Sequence, residues 1–356
     1  METDMIRVLI VEDSHVAQEL LAHLFTSDPD MQVVGVANDG AEALEAVRQK
    51  RPDVITMDIH MPRMDGFEAT RAIMETLPTP IVIVSASTSV KGIASTFRAT
   101  EAGALAVVLR PPGMGYPEHE AAARELIQTV RLMSEVKVVK RTQRTKEHVP
   151  APPLTLPAPR PVTGIQVAAI GASTGGPPVL QRILSGLPQD LPFPMLVVQH
   201  IASGFTEGFV EWLAGASRFP AHIASHGEQP LPGHAYVAPD GFHMGVGSGP
   251  RIVLSDHVPE NGVRPSVAYL FRTAAQVLGP CAVGVLLTGM GRDGAEELKA
   301  MKDRGALTMV QDEASSVVHG MPGEAIKLDA ATYVLPPEGI AAMLAACAEK
   351  TKARSL

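Results

Sequence analysis

Through the first 134 residues, short apolar runs alternate with segments whose apolar residues recur at helical spacing. The runs are Ile6–Val11, Gln32–Ala37, Val54–Met57, Ile81–Val84 and Leu105–Leu109. The amphipathic segments are Val16–Thr26, Ala41–Lys50, Gly66–Thr76, Gly92–Glu101 and Pro117–Ser134. Strands separated by helices cannot pair as hairpins, so this pattern predicts a parallel sheet with helices wound on both faces. The pattern then breaks. Lys137 to Lys146 reads "KVVKRTQRTK", and Pro150 to Pro161 holds six prolines. Such a stretch has no core and predicts a semi-extended linker. After Thr163 the alternation resumes, with apolar runs at Ile165–Ile170, Met195–Gln199, Ala235–Ala238, Ile252–Leu254, Ala282–Thr288 and Ala306–Val310. Helical stretches fall at Pro178–Ser185, Phe205–Leu213, Ser266–Leu278 and Gly294–Asp303. The expectation is α/β, two doubly wound parallel-sheet domains over residues 1–134 and 164–350, joined by a linker at 135–163.

Composition narrows the partners. At 356 residues, each half can bury its own core. A net charge of −8 argues against nucleic acid as a partner. Cys281 and Cys347 sit among apolar neighbours, which reads as buried thiols, and no Cys/His cluster suggests zinc. Met1-Glu2-Thr3-Asp4 carries acids where a signal peptide needs cations. No apolar run nears the roughly 20 residues of a membrane span. These features predict a cytoplasmic protein without membrane insertion.

In open parallel sheets, chemistry collects at the carboxyl ends of strands. Glu12 and Asp13 follow the first run in "VLIVEDS", and Asp58 follows the third in "VITMDIHMPRMDG". Carboxylates crowded together repel unless a cation joins them, and Mg²⁺ suits a few carboxylates plus a phosphate oxygen. Ser85 ends the fourth strand and Arg110 the fifth, adding a hydroxyl and a fixed positive charge. Together these groups make a site for phosphoryl transfer to Asp58. The residues resemble a response-regulator receiver domain, flavodoxin-like in fold, over about Met5 to Ser134. The resemblance implies that a sensor histidine kinase is the phosphodonor for Asp58. It also implies that Glu12, Asp13, Asp58 and the carbonyl of His60 hold Mg²⁺. The family usually has lysine at Arg110 and an aromatic residue at Val107; arginine, a planar fork, does not replace a mobile ammonium.

The second half opens with "IQVAAIGASTGGPPVL". Its glycine-rich turn lacks the lysine of a phosphate-binding loop and the spacing of a dinucleotide fingerprint. It does match GxSxG, between a strand and a helix, the setting of a nucleophile elbow. Ser173 is then a candidate nucleophile, with a cap on the following helix as the competing role, and that helix would offer amide donors to an oxyanion. A serine needs a base. Of seven histidines in this half, His200 ends a strand as Ser173 does, whereas the others fall in loops or less regular stretches. Asp293 follows another strand in "GMGRDGA" and would orient the base, although capping the next helix is a competing role. The chain order of α/β-hydrolases would select Ser173, Asp293 and His319 instead. Pattern alone leaves both triads standing.

Long segments, including "AIGASTGGP", "VVQHIASGFT", "YVAPDGFHM" and "VLLTGMGRDGAEELKAMKDRGALTMVQDEASSVVHGMP", resemble the catalytic domain of chemotaxis protein-glutamate methylesterases, the CheB family, from about Gln166 to Ile340. The resemblance implies Ser173 as nucleophile, His200 as base and Asp293 as its orienter, with Thr174 and Met290 near the acyl group or its oxyanion. It departs from the family at Ile201-Ala202, Ala268 and His319. The implied activity is hydrolysis of glutamate methyl esters on methylated chemoreceptors, with glutamine deamidation by the same chemistry. The implied control is phosphorylation, and no cofactor is needed for ester hydrolysis. Two competing functions are a receiver-regulated serine esterase in another pathway and a catalytically silent scaffold.

Overall fold

A computed structural model describes residues 5–87, 89–136, 138, 164–249 and 251–352. The chain divides into two compact units, Met1–His148 and Val149–Leu356. The basic and proline-rich stretches expected to form the linker lie outside the described residues, apart from Val138.

In the first unit the elements run β1 (Ile6–Val11), α1 (His15–Thr26), β2 (Met31–Ala37), α2 (Gly40–Lys50), β3 (Val54–Met57), α3 (Gly66–Thr76), β4 (Ile81–Ser85), α4 (Val90–Ala102), β5 (Ala106–Leu109) and α5 (His119–Ser134). The sheet order is β2-β1-β3-β4-β5, all neighbours parallel. The apolar runs become its buried strands: Leu9, Val11, Ile55, Met57, Ile81 and Ile83 share one core. Polar residues start the helices. The Asp39 carboxylate accepts from the Ala41 and Glu42 amides, and Asp65 accepts from Glu68, capping α2 and α3. The chain reverses direction across the sheet between β1 and β3, so a crevice opens at their carboxyl ends.

The second unit is built from β6 (Val167–Ala172), α6 (Gly176–Ser185), β7 (Met195–Gln199), α7 (Thr206–Ser217), β8 (Ala221–Ile223), β9 (Ala235–Val237), β10 (His243–Gly247), β11 (Arg251–Ser255), α8 (Val267–Val277), β12 (Ala282–Leu286), α9 (Ala295–Asp303), β13 (Leu307–Gln311), α10 (Gly320–Lys327), β14 (Tyr333–Leu335) and α11 (Pro337–Lys352). A parallel sheet has the order β14-β13-β12-β6-β7-β9-β8. Here the winding reverses at β6, with β7 on one side and β12 on the other. Phe271 and Leu270 of α8 join Val167, Leu196 and Leu286 in the core beneath it.

Two expectations need correction. The run Ile252–Leu254 is not a strand of the parallel sheet; it lies in β11, paired antiparallel with β10 as a separate hairpin. A short apolar run carries no record of its partner, and "SGP" between the strands is turn-rich. Cys281 is half-buried rather than buried, whereas Cys347 is buried. Among the described residues no helix is long and apolar enough to cross a membrane.

Candidate active site

The reversal at β6 brings three loops together. Ser173 follows β6, His200 follows β7, and Asp293 lies beyond the adjoining β12. Backbone ties extend the ladder into the site: Ser173 N donates to Thr288 O (3.0 Å), and His200 N donates to Ala172 O (2.9 Å). His200 Nε2 lies 3.1 Å from Asp293 Oδ2. His200 and Ser173 are half-buried, while Asp293 is buried at 5% exposure. With Nε2 turned to Asp293, Nδ1 is the other ring nitrogen of His200.

Asp293 is held from four further directions. Oδ1 accepts from Asn261 Nδ2 (3.0 Å), Ser266 Oγ (2.8 Å) and Ala268 N (3.3 Å), and Oδ2 also accepts from Val267 N (2.6 Å). Burial alone would push its pKa up. The bonds from His200, Asn261 and Val267, with the charge of His200, outweigh burial and hold the pKa below the ordinary value. Asp293 does cap a helix, but that helix is α8, whose first amides it accepts, and not the following α9. His319 Nδ1 instead meets Ser316 Oγ at 3.4 Å. The geometry therefore pairs the acid with His200.

The turn at Ser173 departs from the expected elbow in two ways. The left-handed backbone falls on Gly175 (φ 76°) and not on Ser173, so Ser173 is not strained. The N-terminus of α6 offers no spare amides in its first turn: Gly176 N donates to Ser173 O (2.8 Å), and Pro177 and Pro178 have no N–H. The Gly289 loop supplies the other wall. A Cβ on Gly289 would lie 2.7 Å from Ser173 Cβ and 2.4 Å from Met321 Sδ, so only glycine lets this backbone approach. Thr174, half-buried, and Met290, 39% exposed, flank that approach. The Thr288 hydroxyl stitches the walls together, donating to Thr174 O (3.0 Å) and accepting from Val318 N (3.0 Å).

Asn261, Ser266 and His243 escaped the sequence reading. His243 sits in β10, fully buried and stacked on Tyr269 with centroids 5.0 Å apart, and is not a loop residue. Its Nδ1 accepts from Ser266 N (3.2 Å), so Nε2 carries the proton and donates to Val258 O (3.1 Å). It thus pins the loop that delivers Ser266 and Asn261 to Asp293. His222 belongs to β8 and pairs with His234, Nε2 to Nδ1, at 2.7 Å.

In the first unit, ligand atoms of Glu12, Asp13 and Asp58 lie within 4.8 Å of one another. Asp58 is fixed by its amide, which donates to Val11 O at 2.8 Å. Burial, then repulsion from Asp58, raises the pKa of Glu12; burial first also raises that of Asp58, with Asp13 adding to it. This crowding of hard oxygen donors fits a divalent cation. Ser85 is buried, with Oγ accepting from Ser87 N (3.2 Å) and lying 3.5 Å from Thr96 Oγ1. Arg110 Nη1 turns to Glu12, 3.4 Å from both carboxylate oxygens. Val107 is half-buried in β5, and His60 is exposed two residues past Asp58.

Fold and sites define a protein with three crowded carboxylates in one α/β unit and, in the other, a His–Asp pair on strands flanking a serine turn. Residues 8–114 match the response regulator receiver domain model, and residues 168–344 match that of the CheB methylesterase. The chain is 57% identical over 341 residues to a protein-glutamate methylesterase/protein-glutamine glutaminase of Nitrosospira multiformis, covering 96% of each. It is 55% identical over 345 residues to a like-named protein of Geobacter metallireducens, covering 97% of this chain and 99% of that one. The solved catalytic domain of the Thermotoga maritima CheB methylesterase matches 51% of this chain and 98% of its own, at 35% identity and a TM-score of 0.50. The chain belongs to the CheB methylesterase family.

Proposed function

We propose that this chain is a phosphorylation-controlled protein-glutamate methylesterase and protein-glutamine glutaminase acting on chemoreceptors. The observation that carries the reading is the His200–Asp293 pair, set on strands that flank the one presenting Ser173. Asp293 holds the Nε2 proton of His200, leaving Nδ1 as the base. Nδ1 takes the Ser173 proton as Oγ attacks the side-chain carbonyl of a methylated glutamate. The oxyanion is met by backbone donors of the Thr174 turn and the Met290 loop, since α6 has none to spare. The imidazolium protonates the departing methanol; water, deprotonated by His200, then splits the acyl-serine and leaves a free glutamate. With glutamine the same cycle releases ammonia.

Asp58 is the phosphoryl acceptor, fed by a sensor histidine kinase. Glu12, Asp13, Asp58 and the His60 carbonyl would hold Mg²⁺, which when bound neutralises charge for phosphoryl transfer. Ser85 would donate to the phosphoryl oxygens. Arg110, which reaches Glu12 at this site, would supply a fixed positive charge to a phosphorylated Asp58. The setting is the cytoplasm, where receptor and kinase meet the enzyme. The test is methanol release from methylated receptor membranes, with and without a small phosphodonor. Stimulation of the wild type and only basal release by Asp58→Asn are expected. Equal stimulation of both would refute phosphorylation control at Asp58.

A further inference from the structure

Gln199 is the last residue of β7, and its side chain, 3% exposed, turns back under the site. One nitrogen does two jobs. Nε2 donates to Ser173 O at 2.8 Å and to His200 O at 2.9 Å. Both of its protons are spent, on the main chains of the nucleophile and of the base. The reverse amide orientation would aim an oxygen at two carbonyl oxygens, so hydrogen bonding fixes this one.

The other end of the amide is equally confined. Oε1 is buried and has no hydrogen-bond partner among the described residues. A Cβ added to Gly176 would fall 2.1 Å from it, so Oε1 rests against the first residue of α6. There the positive end of the helix faces a carbonyl dipole, which offsets part of the missing bond. A buried amide that leaves its acceptor unpaired while both donors bridge two reactive residues is unusual for a group serving only the core.

We infer that Gln199 is a positioning residue for the esterase: its amide sets the spacing of Ser173 and His200 by holding their carbonyls on one nitrogen. The inference rests on the reading of Ser173 and His200 as nucleophile and base. Without the clamp, the ladder still places the strands, but the turn after β6 and the loop after β7 drift independently. Misalignment on the scale of 1 Å costs about 10²-fold in rate. Substrate contacts are untouched, so the loss falls on kcat and not on KM.

The test uses the full-length chain and methylated receptor membranes, reading methanol release. Gln199→Met keeps the volume without a donor, and Gln199→Glu keeps the shape with acceptors only. Each should lower kcat about ten- to hundred-fold with KM within about twofold of the wild type. A double-mutant cycle separates alignment from general damage. In a His200→Ala background the nucleophile has no base to be aligned with, so Gln199→Met should cost less than about twofold further. An equal cost in both backgrounds, or a kcat within about twofold of the wild type, overturns the inference. Should both variants fail to fold, the Nε2 protons of the wild type decide: slow solvent exchange supports the clamp, and free exchange overturns it. Ser173→Ala and His200→Ala run as controls. If they keep wild-type rates, the triad itself is wrong; if they fall to a residual rate while Gln199→Met does not fall, only the clamp is wrong.

Discussion

Asp293→Asn is the sharpest single perturbation, because every hydrogen-bond partner of this carboxylate among the described residues is a donor. Asparagine keeps one oxygen and replaces the other with NH₂. With its oxygen at the Oδ1 position it satisfies Asn261, Ser266 and Ala268, and NH₂ then faces His200 Nε2 and Val267 N. The flipped amide would oppose three donors instead of two, so the first placement wins. His200 Nε2 must then accept, its proton moves to Nδ1, and the base is blocked where Ser173 needs it. The expected fall in kcat is roughly 10³–10⁴-fold, about 4–5.5 kcal/mol of barrier. Val267 N–H, buried and facing a donor, should cost about 1–3 kcal/mol of stability. The acid dependence changes too. The folded pKa of Asp293 lies below its unfolded value, so its stabilisation is complete above the unfolded pKa and is lost as pH falls through the folded one. The variant should lack that component of acid unfolding. Methanol release, serine labelling by a phosphonate and melts against pH measure the three effects. A folded variant retaining a tenth or more of wild-type kcat would refute the tautomer argument.

Three further substitutions probe other links. Gly289→Ala forces a methyl to 2.7 Å from Ser173 Cβ, so about 1–3 kcal/mol of stability and at least about tenfold in methanol release should go; a wild-type melt and rate would show that the loop yields freely. His243→Phe keeps the stack on Tyr269 but strands the buried Ser266 N, costing about 1–3 kcal/mol; an unchanged melting temperature counts against the pinning role. Asp58→Asn removes one of three crowded carboxylates. The first unit should therefore melt higher without divalent cations and gain less from added Mg²⁺, as read by calorimetry; an equal Mg²⁺ gain would move the cation elsewhere.

Much of the architecture was legible because parallel strands are buried on both faces and read as continuous apolar runs. The runs at Val54–Met57 and Met195–Gln199 became β3 and β7 with the same ends. Strand ends then located Glu12, Asp58, Ser173 and His200, since polar residues directly after such runs project into the crevice. The strands β8 and β14 were missed: three residues each, they carry too little periodicity. Asn261, Ser266 and His243 were invisible for a different reason. They act through hydrogen bonds across 23 to 32 positions of sequence, and no local pattern encodes which distant acid a serine or asparagine will meet. The prolines opening the helix were in plain sight, yet the expectation of amide donors there overlooked that proline has no N–H to give.

The most direct test of the central claim is methanol release from methylated receptor membranes by Ser173→Ala, His200→Ala and His319→Ala beside the wild type. The account predicts that the first two lose release by about 10³-fold or more while His319→Ala keeps it within a fewfold. Loss of activity in His319→Ala with His200→Ala spared would contradict it.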